Sequence, residues 1–181
     1  MYDCSTDEYE ENVRKTAEMA KIAHSYGATI EAELGHVGDN PAPGSDANGA
    51  VPEEFYTSPE QASDFVERTG VDALAVAVGT AHGAYRFPPK LDFERITRIR
   101  EATDVPLVLH GGSGLSDADF REAIRRGIAK INIFTDVNVA AACAAHDGWR
   151  DGAGLTDLIP GEVEAVKEAV MRKMRLFDLN S

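Results

Sequence analysis

An α/β fold around a parallel β-sheet is what this 181-residue sequence predicts. Three observations carry that expectation. Segments with helical apolar spacing alternate with short apolar runs along the chain. The runs Val71–Val78 and Val105–His110 are nearly continuous in apolar residues, as strands covered on both faces are. Glycine and small polar residues follow each run at once, at the strand ends where folds of this class collect their chemistry.

The elements follow in order. From Tyr9 to Tyr26 the apolar positions Val13, Ala17, Met19, Ala20 and Ala23 recur at helical spacing, and Gly27 stops the helix. Thr29–Leu34 reads as a strand ending at Gly35. Residues 36–55, rich in Gly, Pro, Asp and Asn, are expected to form a long mobile loop at the active site. Ser58-Pro59-Glu60 supplies a cap, an N1 proline and an acidic first turn for a helix to about Thr69, closed by Gly70. The strand 71–78, a loop over 79–89 and a helix from Asp92 to Thr103 come next. The strand Val105–His110 leads through Gly111-Gly112-Ser113-Gly114 into a helix over Ser116–Arg126 with Ser116 as its cap. A short strand at Ala129–Ile133, a helix from about Asp136 to His146 and a terminal amphipathic helix from Pro160 to Leu179 complete the chain. Four strands are complete and a fifth would end at Met1-Tyr2-Asp3, whereas a closed (β/α)8 barrel needs eight and typically about 250 residues.

Composition narrows the function classes. A formal charge of −13 argues against a nucleic-acid partner and against an anionic membrane surface, both of which want clustered Lys and Arg. Arg outnumbers Lys twelve to six and Asp is plentiful, which suits either a high-salt cytoplasm or an ordinary acidic protein. No apolar run reaches the ~18–20 residues that span a bilayer, and the acidic start lacks the apolar stretch of a signal peptide. Cys4 and Cys143 form no Cys-x-x-Cys unit, so two free thiols in a reducing cytoplasm are expected.

The strand ends carry Asp3, Glu33, His82, His110 and Asn132–Asp136. His82 and His110 each lie beside glycine, so the backbone can approach closely while the ring reaches a ligand; neutral imidazole is a frequent zinc ligand, and the other reading of each is a strand-end hydrogen bond. Backbone amides of Gly112, Ser113 and Gly114 ahead of a helix suit a phosphate, with Asn132 and Thr135 on the next strand end as further donors; a plain βα turn is the alternative. Glu31 and Glu33 alternate with Ile30 and Ala32, so they share one strand face. If that face is interior, one of them needs a cationic partner. Glu33, nearer the strand end, is the candidate for a metal, and an interior salt bridge is the competing reading for Glu31. His24 and His146 read as solvated helix residues, and His36 as a loop residue.

Glu31-Ala-Glu-Leu-Gly35, Gly79-Thr-Ala-His-Gly-Ala-Tyr85, Leu107-Val-Leu-His-Gly-Gly-Ser-Gly-Leu-Ser116 and Lys130-Ile-Asn-Ile-Phe-Thr-Asp136, with Phe55-Tyr-Thr-Ser-Pro59, resemble the class II, zinc-dependent ketose-bisphosphate aldolases over nearly the whole chain. The resemblance implies a partial (β/α)8 TIM barrel, about the last four to five βα units plus a C-terminal helix, as one domain over residues 1–181. It implies reversible cleavage of fructose-1,6-bisphosphate or tagatose-1,6-bisphosphate to dihydroxyacetone phosphate and glyceraldehyde 3-phosphate. Zinc would polarise the ketose carbonyl and stabilise the enediolate left as the C3–C4 bond breaks. His82 and His110 match two of the three zinc ligands, and Asp3 and Glu33 match acidic positions that can hold a second metal. Gly83, Gly111, Gly112 and Ser113 match the dihydroxyacetone phosphate site, some of whose backbone groups hold a monovalent cation (Na+ or K+) in relatives. Asn132, Ile133, Phe134 and Thr135 match the second part of that phosphate site. A cytoplasmic homodimer or homotetramer is implied for the full-length form.

The chain also departs from the pattern. It contains no Asp-His pair, which in the family supplies a catalytic Asp and the third zinc ligand. Gly38-Asp39-Asn40 stands where some relatives carry a Glu pair, and Phe134 stands where fructose-type relatives carry a carboxylate. The segment from Met1 resembles the family's fourth strand, so the chain is expected to be the C-terminal part of a longer reading frame. The alternatives are a non-catalytic phosphate-binding half-barrel and an assembly partner completed by a second chain.

Overall fold

The computed structural model describes residues 1–37, 53–81 and 89–178. Helix α1 (Tyr9–Ser25) leads to strand β1 (Glu31–Leu34), and a 3-10 turn at Glu53–Phe55 precedes α2 (Pro59–Thr69) and β2 (Ala73–Val76). Then come α3 (Phe93–Ala102), β3 (Leu107–Leu109), α4 (Asp117–Arg125), β4 (Ile128–Ile131), α5 (Thr135–Gly148) and α6 (Leu155–Phe177). The four strands form one parallel sheet in the order β1-β2-β3-β4. Tyr2 adds a parallel bridge to Ala32 on the outer side of β1, where the first partial strand was expected.

The caps read from the sequence are in place. Ser58 accepts the Gln61 amide at the start of α2, and Gly70 closes that helix in the left-handed conformation. Ser116 and Asp119 form a reciprocal capping box on α4. Asp92, expected as the first residue of its helix, instead caps α3 by accepting the Arg95 amide.

The strands are shorter than their apolar runs, for local reasons. Pro106 has no N–H to extend the β3 ladder, although its carbonyl still accepts the Leu74 amide. The Ile30 amide donates to the Asp72 carboxylate, so β1 starts at Glu31. At the other end, the Thr57 hydroxyl donates to the Leu34 carbonyl and accepts the Ala77 amide, tying the ends of β1 and β2 together. Helix α6 starts at Leu155 rather than at the expected Pro160. Asp157 caps the Gly154 amide at 2.8 Å, and Pro160 sacrifices only one internal helix bond near the N-terminal end.

Side-chain parity divides the sheet into two faces. Ala32 and Leu34, Leu74, Val76 and Val78, Leu107 and Leu109, and Ile128 join Val13, Phe65, Ile96, Ile99 and Phe120 of α1–α4 in one apolar core. Glu31, Glu33, Ala75 and Val108 alternate with these and belong to the opposite face; Lys130, two residues from Ile128, joins them because the β3–β4 register shifts between Leu107 and Val108. In register, Glu33 pairs with Ala75, Ala75 with Val108 and Val108 with Lys130, one row across all four strands. Phe120, fully buried, lies 5.2 Å from the Phe177 ring and so seats the end of α6 on α4.

Burial alone pushes the Asp92 carboxyl up, but the Arg95 amide and guanidinium bonds outweigh it and hold the group below its ordinary 3.8. A depressed carboxyl contributes stability that is present above its unfolded-state value and lost as pH falls through the folded one. Asp92→Asn is therefore expected to flatten the acid limb of stability, measured as urea midpoints between about pH 5 and pH 2. An unchanged slope would contradict the assignment.

Candidate active site

Strands in a sheet lie about 4.8 Å apart, so side chains on β1 and β3 face each other across roughly 10 Å with β2 between them. His110, one residue past β3, bridges that gap: its Nδ1 lies 2.6 Å from Glu33 Oε2 and its Nε2 lies 3.0 Å from Glu31 Oε1. On that face β2 presents only methyl side chains, Ala75 in the row of Glu33 and Val108 and Ala77 two residues on, level with His110. Lys130, on β4, donates to Glu31 Oε2 at 2.6 Å.

Glu33 is 1% exposed, and a carboxylate that deep must be satisfied on every side. Besides His110, it accepts the Ser5 hydroxyl at 3.0 Å and the Val37 amide at 3.3 Å. Asn12 of α1, braced by Thr16, donates to the Glu33 carbonyl and fixes the strand beneath the side chain. Burial alone would lower the His110 pKa, but hydrogen bonding to Glu33 and Glu31 outweighs it and the group sits above its ordinary 6.5. Burial alone would raise Glu31, but Lys130 and His110 outweigh it and hold the carboxyl below its usual range. The interior salt bridge weighed for Glu31 is thus formed, with Lys130.

A cavity of about 500 Å³ opens beside the ring, lined by Gly111, Ser113, Ile131, Asn132, Ile133, Phe134 and Thr135. Its walls are drawn together by close backbone contacts. Gly111 has φ +66°, and a Cβ there would lie 2.3 Å from the Ala81 carbonyl oxygen. The Asn132 amide donates to Leu109 and the Gly112 amide to Asn132. Ser113, from the β3–α4 loop, accepts the Asp136 amide and so caps α5, whose own N-cap Phe134 offers no side-chain bond. The Phe134 ring stands 74% exposed at the cavity.

Six of the eight residues expected around the phosphate therefore line one cavity. Gly112 is corrected as a donor, because its amide is committed to the Asn132 carbonyl. Gly83 and His82 lie outside the described residues, as does most of the loop expected over 36–55. Asp3 is exposed and bonds the Ser5 amide at 2.8 Å, which joins it to Glu33 through Ser5 rather than at a common point. Sequence reasoning missed Lys130 and Ser5 as partners. Lys130 had a signal, a lone cation alternating with Ile131 and Ile133, although its parity with Ile128 conceals it until the register shift is known; Ser5 had none.

Among the described residues no three His, Cys, Asp or Glu side chains are grouped to hold a metal ion. His110 is a ring buried at a strand end with a carboxylate against each nitrogen; a ligating imidazole keeps one such partner while its other nitrogen faces the metal. Imidazole and carboxylate donors together suit zinc, so the residues present fit such an ion as part of a ligand set.

Residues 1–181 match the family model described as fructose-bisphosphate aldolase class-II. The Escherichia coli K12 protein described as uncharacterized protein YdjI is 47% identical over 178 residues, covering 98% of this chain and 62% of its own length. The crystal structure of the YdjI aldolase from the same organism aligns with a TM-score of 0.83 at 43% identity, over 98% of this chain and 60% of that one. A structure from Coccidioides immitis, described as a candidate fructose-1,6-biphosphate aldolase, aligns with a TM-score of 0.84 at 32% identity, over 98% of this chain and 62% of that one. The sheet and its helices are thus an arc of the barrel these proteins share. The chain spans about three-fifths of the length of the relatives it matches.

Because β2 must stay low beneath the His110 ring, Ala75→Leu is expected to force His110 and Glu33 apart. Overpacking of this kind costs about 1–3 kcal/mol, read as a lowered urea midpoint together with a shifted His110 ring resonance. A variant with wild-type stability and an unmoved resonance would refute the crossing constraint.

Proposed function

We propose, from the premise that the chain belongs to the class II fructose-bisphosphate aldolase family, that it carries the metal- and phosphate-binding part of a ketose-bisphosphate aldolase. The reaction is reversible cleavage of fructose-1,6-bisphosphate or tagatose-1,6-bisphosphate to dihydroxyacetone phosphate and glyceraldehyde 3-phosphate.

The observation that carries this reading is the adjacency of His110 to the 500 Å³ cavity, whose wall begins at the next residue, Gly111. The cavity includes the first residue of α5, and the free amides of a helix's first turn favour an anion. Asn132 and Thr135 supply side-chain donors to a phosphate there. Ser113 holds α5 in place by taking the Asp136 amide.

His110 and His82 would hold zinc, with Glu33 and Asp3 as the acidic positions that can hold a second metal. A zinc ion there supplies Lewis-acid polarisation of a carbonyl and compensation of the negative charge left when the C3–C4 bond breaks. The residues of this chain bury the ring, fix its orientation through Glu31 and Glu33, and seat the phosphate. The sequence has no Asp-His pair, so the family's proton-transferring Asp is not among them. The same reading takes Na+ or K+ beside the backbone of Gly83, Gly111 and Ser113, a homodimeric or homotetrameric full-length form, and a cytoplasmic setting. No helix among the described residues is long and apolar enough to cross a membrane.

Calorimetry with dihydroxyacetone phosphate, with zinc and after chelation, tests the site, and a coupled assay with each bisphosphate tests the chemistry. Binding is expected to require zinc and to weaken at least about 100-fold in His110→Ala, because a residue that touches the metal outweighs those that support it. Absence of binding in every condition would end the reading. Binding indifferent to zinc and to His110 would instead favour the non-catalytic phosphate-binding half-barrel.

A further inference from the structure

Helix α5 reaches the cavity with its first residue, Thr135, and its N-cap, Phe134, has no polar side chain to offer the amides that follow. The Asn138 amide is the first to find a carbonyl within the turn, that of Phe134. Of the three amides ahead of it, that of Asp136 donates to the Ser113 hydroxyl. Those of Thr135 and Val137 have no helical acceptor and are open to an anion.

The second residue of that turn is an acid. Asp136 follows Thr135, so its Cα lies about 3.8 Å from that of a cavity-lining residue. A carboxylate in a first turn stabilises the helix, but it competes with any incoming anion for the same partial positive charge. Here that carboxylate is taken up by α6: Lys173 Nζ lies 2.9 Å from Asp136 Oδ2. Both side chains are mostly covered, at 23% and 30% exposure, so water and salt screen the pair less than they screen a surface bridge. The Phe120 ring of α4, its centroid 4.5 Å from Nζ, holds the ammonium as well, and the same ring seats Phe177 of α6. Lys173 is therefore fixed by α4 and α5 together.

We infer that Lys173 is a positioning residue for the anion site: it offsets the Asp136 charge, so that the first turn of α5 keeps its positive end for a phosphate. This rests on the proposed phosphate at the cavity. Lys173 does not line that cavity and acts only through Asp136. Without it, a carboxylate stands uncompensated beside a phosphate dianion. For a single and a double negative charge about 8 Å apart in a water-like dielectric, the repulsion corresponds to about 3- to 10-fold in affinity.

The test titrates the 15N-labelled 181-residue chain with inorganic phosphate. The ionic strength is kept near about 0.05 M, where charge is weakly screened. Amide shifts of Thr135 and Val137 give the dissociation constant for wild type, Lys173→Met, Lys173→Arg, Asp136→Asn and the double variant Lys173→Met/Asp136→Asn. Lys173→Met is expected to weaken phosphate binding about 3- to 10-fold, and Lys173→Arg to bind as wild type does. Asp136→Asn frees the ammonium and is expected to tighten binding by a similar factor. The double variant is expected to return to the wild-type value, because the charge that Lys173 offsets is gone. A lysine that acts only as a brace between helices gives a different pattern: the double variant stays as weak as Lys173→Met, and Asp136→Asn binds no tighter than wild type. That pattern overturns the inference. If near-UV circular dichroism shows Lys173→Met unfolded, the direction of the Asp136→Asn change decides alone. A wild-type chain whose Thr135 and Val137 amides ignore phosphate overturns the phosphate reading and this inference together, whereas a response with one affinity across all variants overturns the inference alone.

Discussion

A chord of charge through the inner face holds the arrangement together: Lys130 to Glu31, Glu31 to His110, His110 to Glu33. Each link imposes something on the scaffold. The lysine can reach the glutamate only if the sheet curves, because a flat sheet would keep β4 and β1 about 14 Å apart. The histidine can reach β1 only if β2 lies low, and Ala75 meets that need. Glu33, at 1% exposure, is satisfied because an imidazole, a hydroxyl and an amide all face it. Removing one partner of a buried ionic pair typically costs about 3–5 kcal/mol, so the ring holds the fold as well as the site.

The two faces of the sheet divide the work. Toward the helices, Leu74, Val76, Leu107, Leu109 and Ile128 build a dry core with Phe65, Ile96, Ile99 and Phe120. The other face spends its positions on charge and on methyl groups small enough to let charge meet. At the strand ends the backbone supplies the shape: Gly111 against Ala81, the Gly112 amide on Asn132, Ser113 on the first turn of α5. The cavity next to His110 is what remains between these contacts. Under the proposed function, its position at a helix start, beside a buried imidazole, is where an anion would sit next to an electrophile.

Much of this was determined by the sequence alone. Ser58 and Ser116 cap the helices they precede, because a cap is a bond between residues three apart. The parity of Glu31 and Glu33 put both carboxylates on one face, because strand period is local. The motifs around His110 and Asn132 marked the cavity residues before any geometry was known. Only the tertiary structure decided the rest. It shortened the strands through Asp72 and Thr57, which draw backbone groups out of the ladder from twenty or more residues away. It began α6 ahead of Pro160 and committed the Gly112 amide to the neighbouring strand end. It matched Lys130 with Glu31, 99 residues apart in the chain. Local hydrogen bonds and periodicity are written in neighbouring residues, whereas a contact across three strands depends on the curvature that the whole sheet and its helices set together.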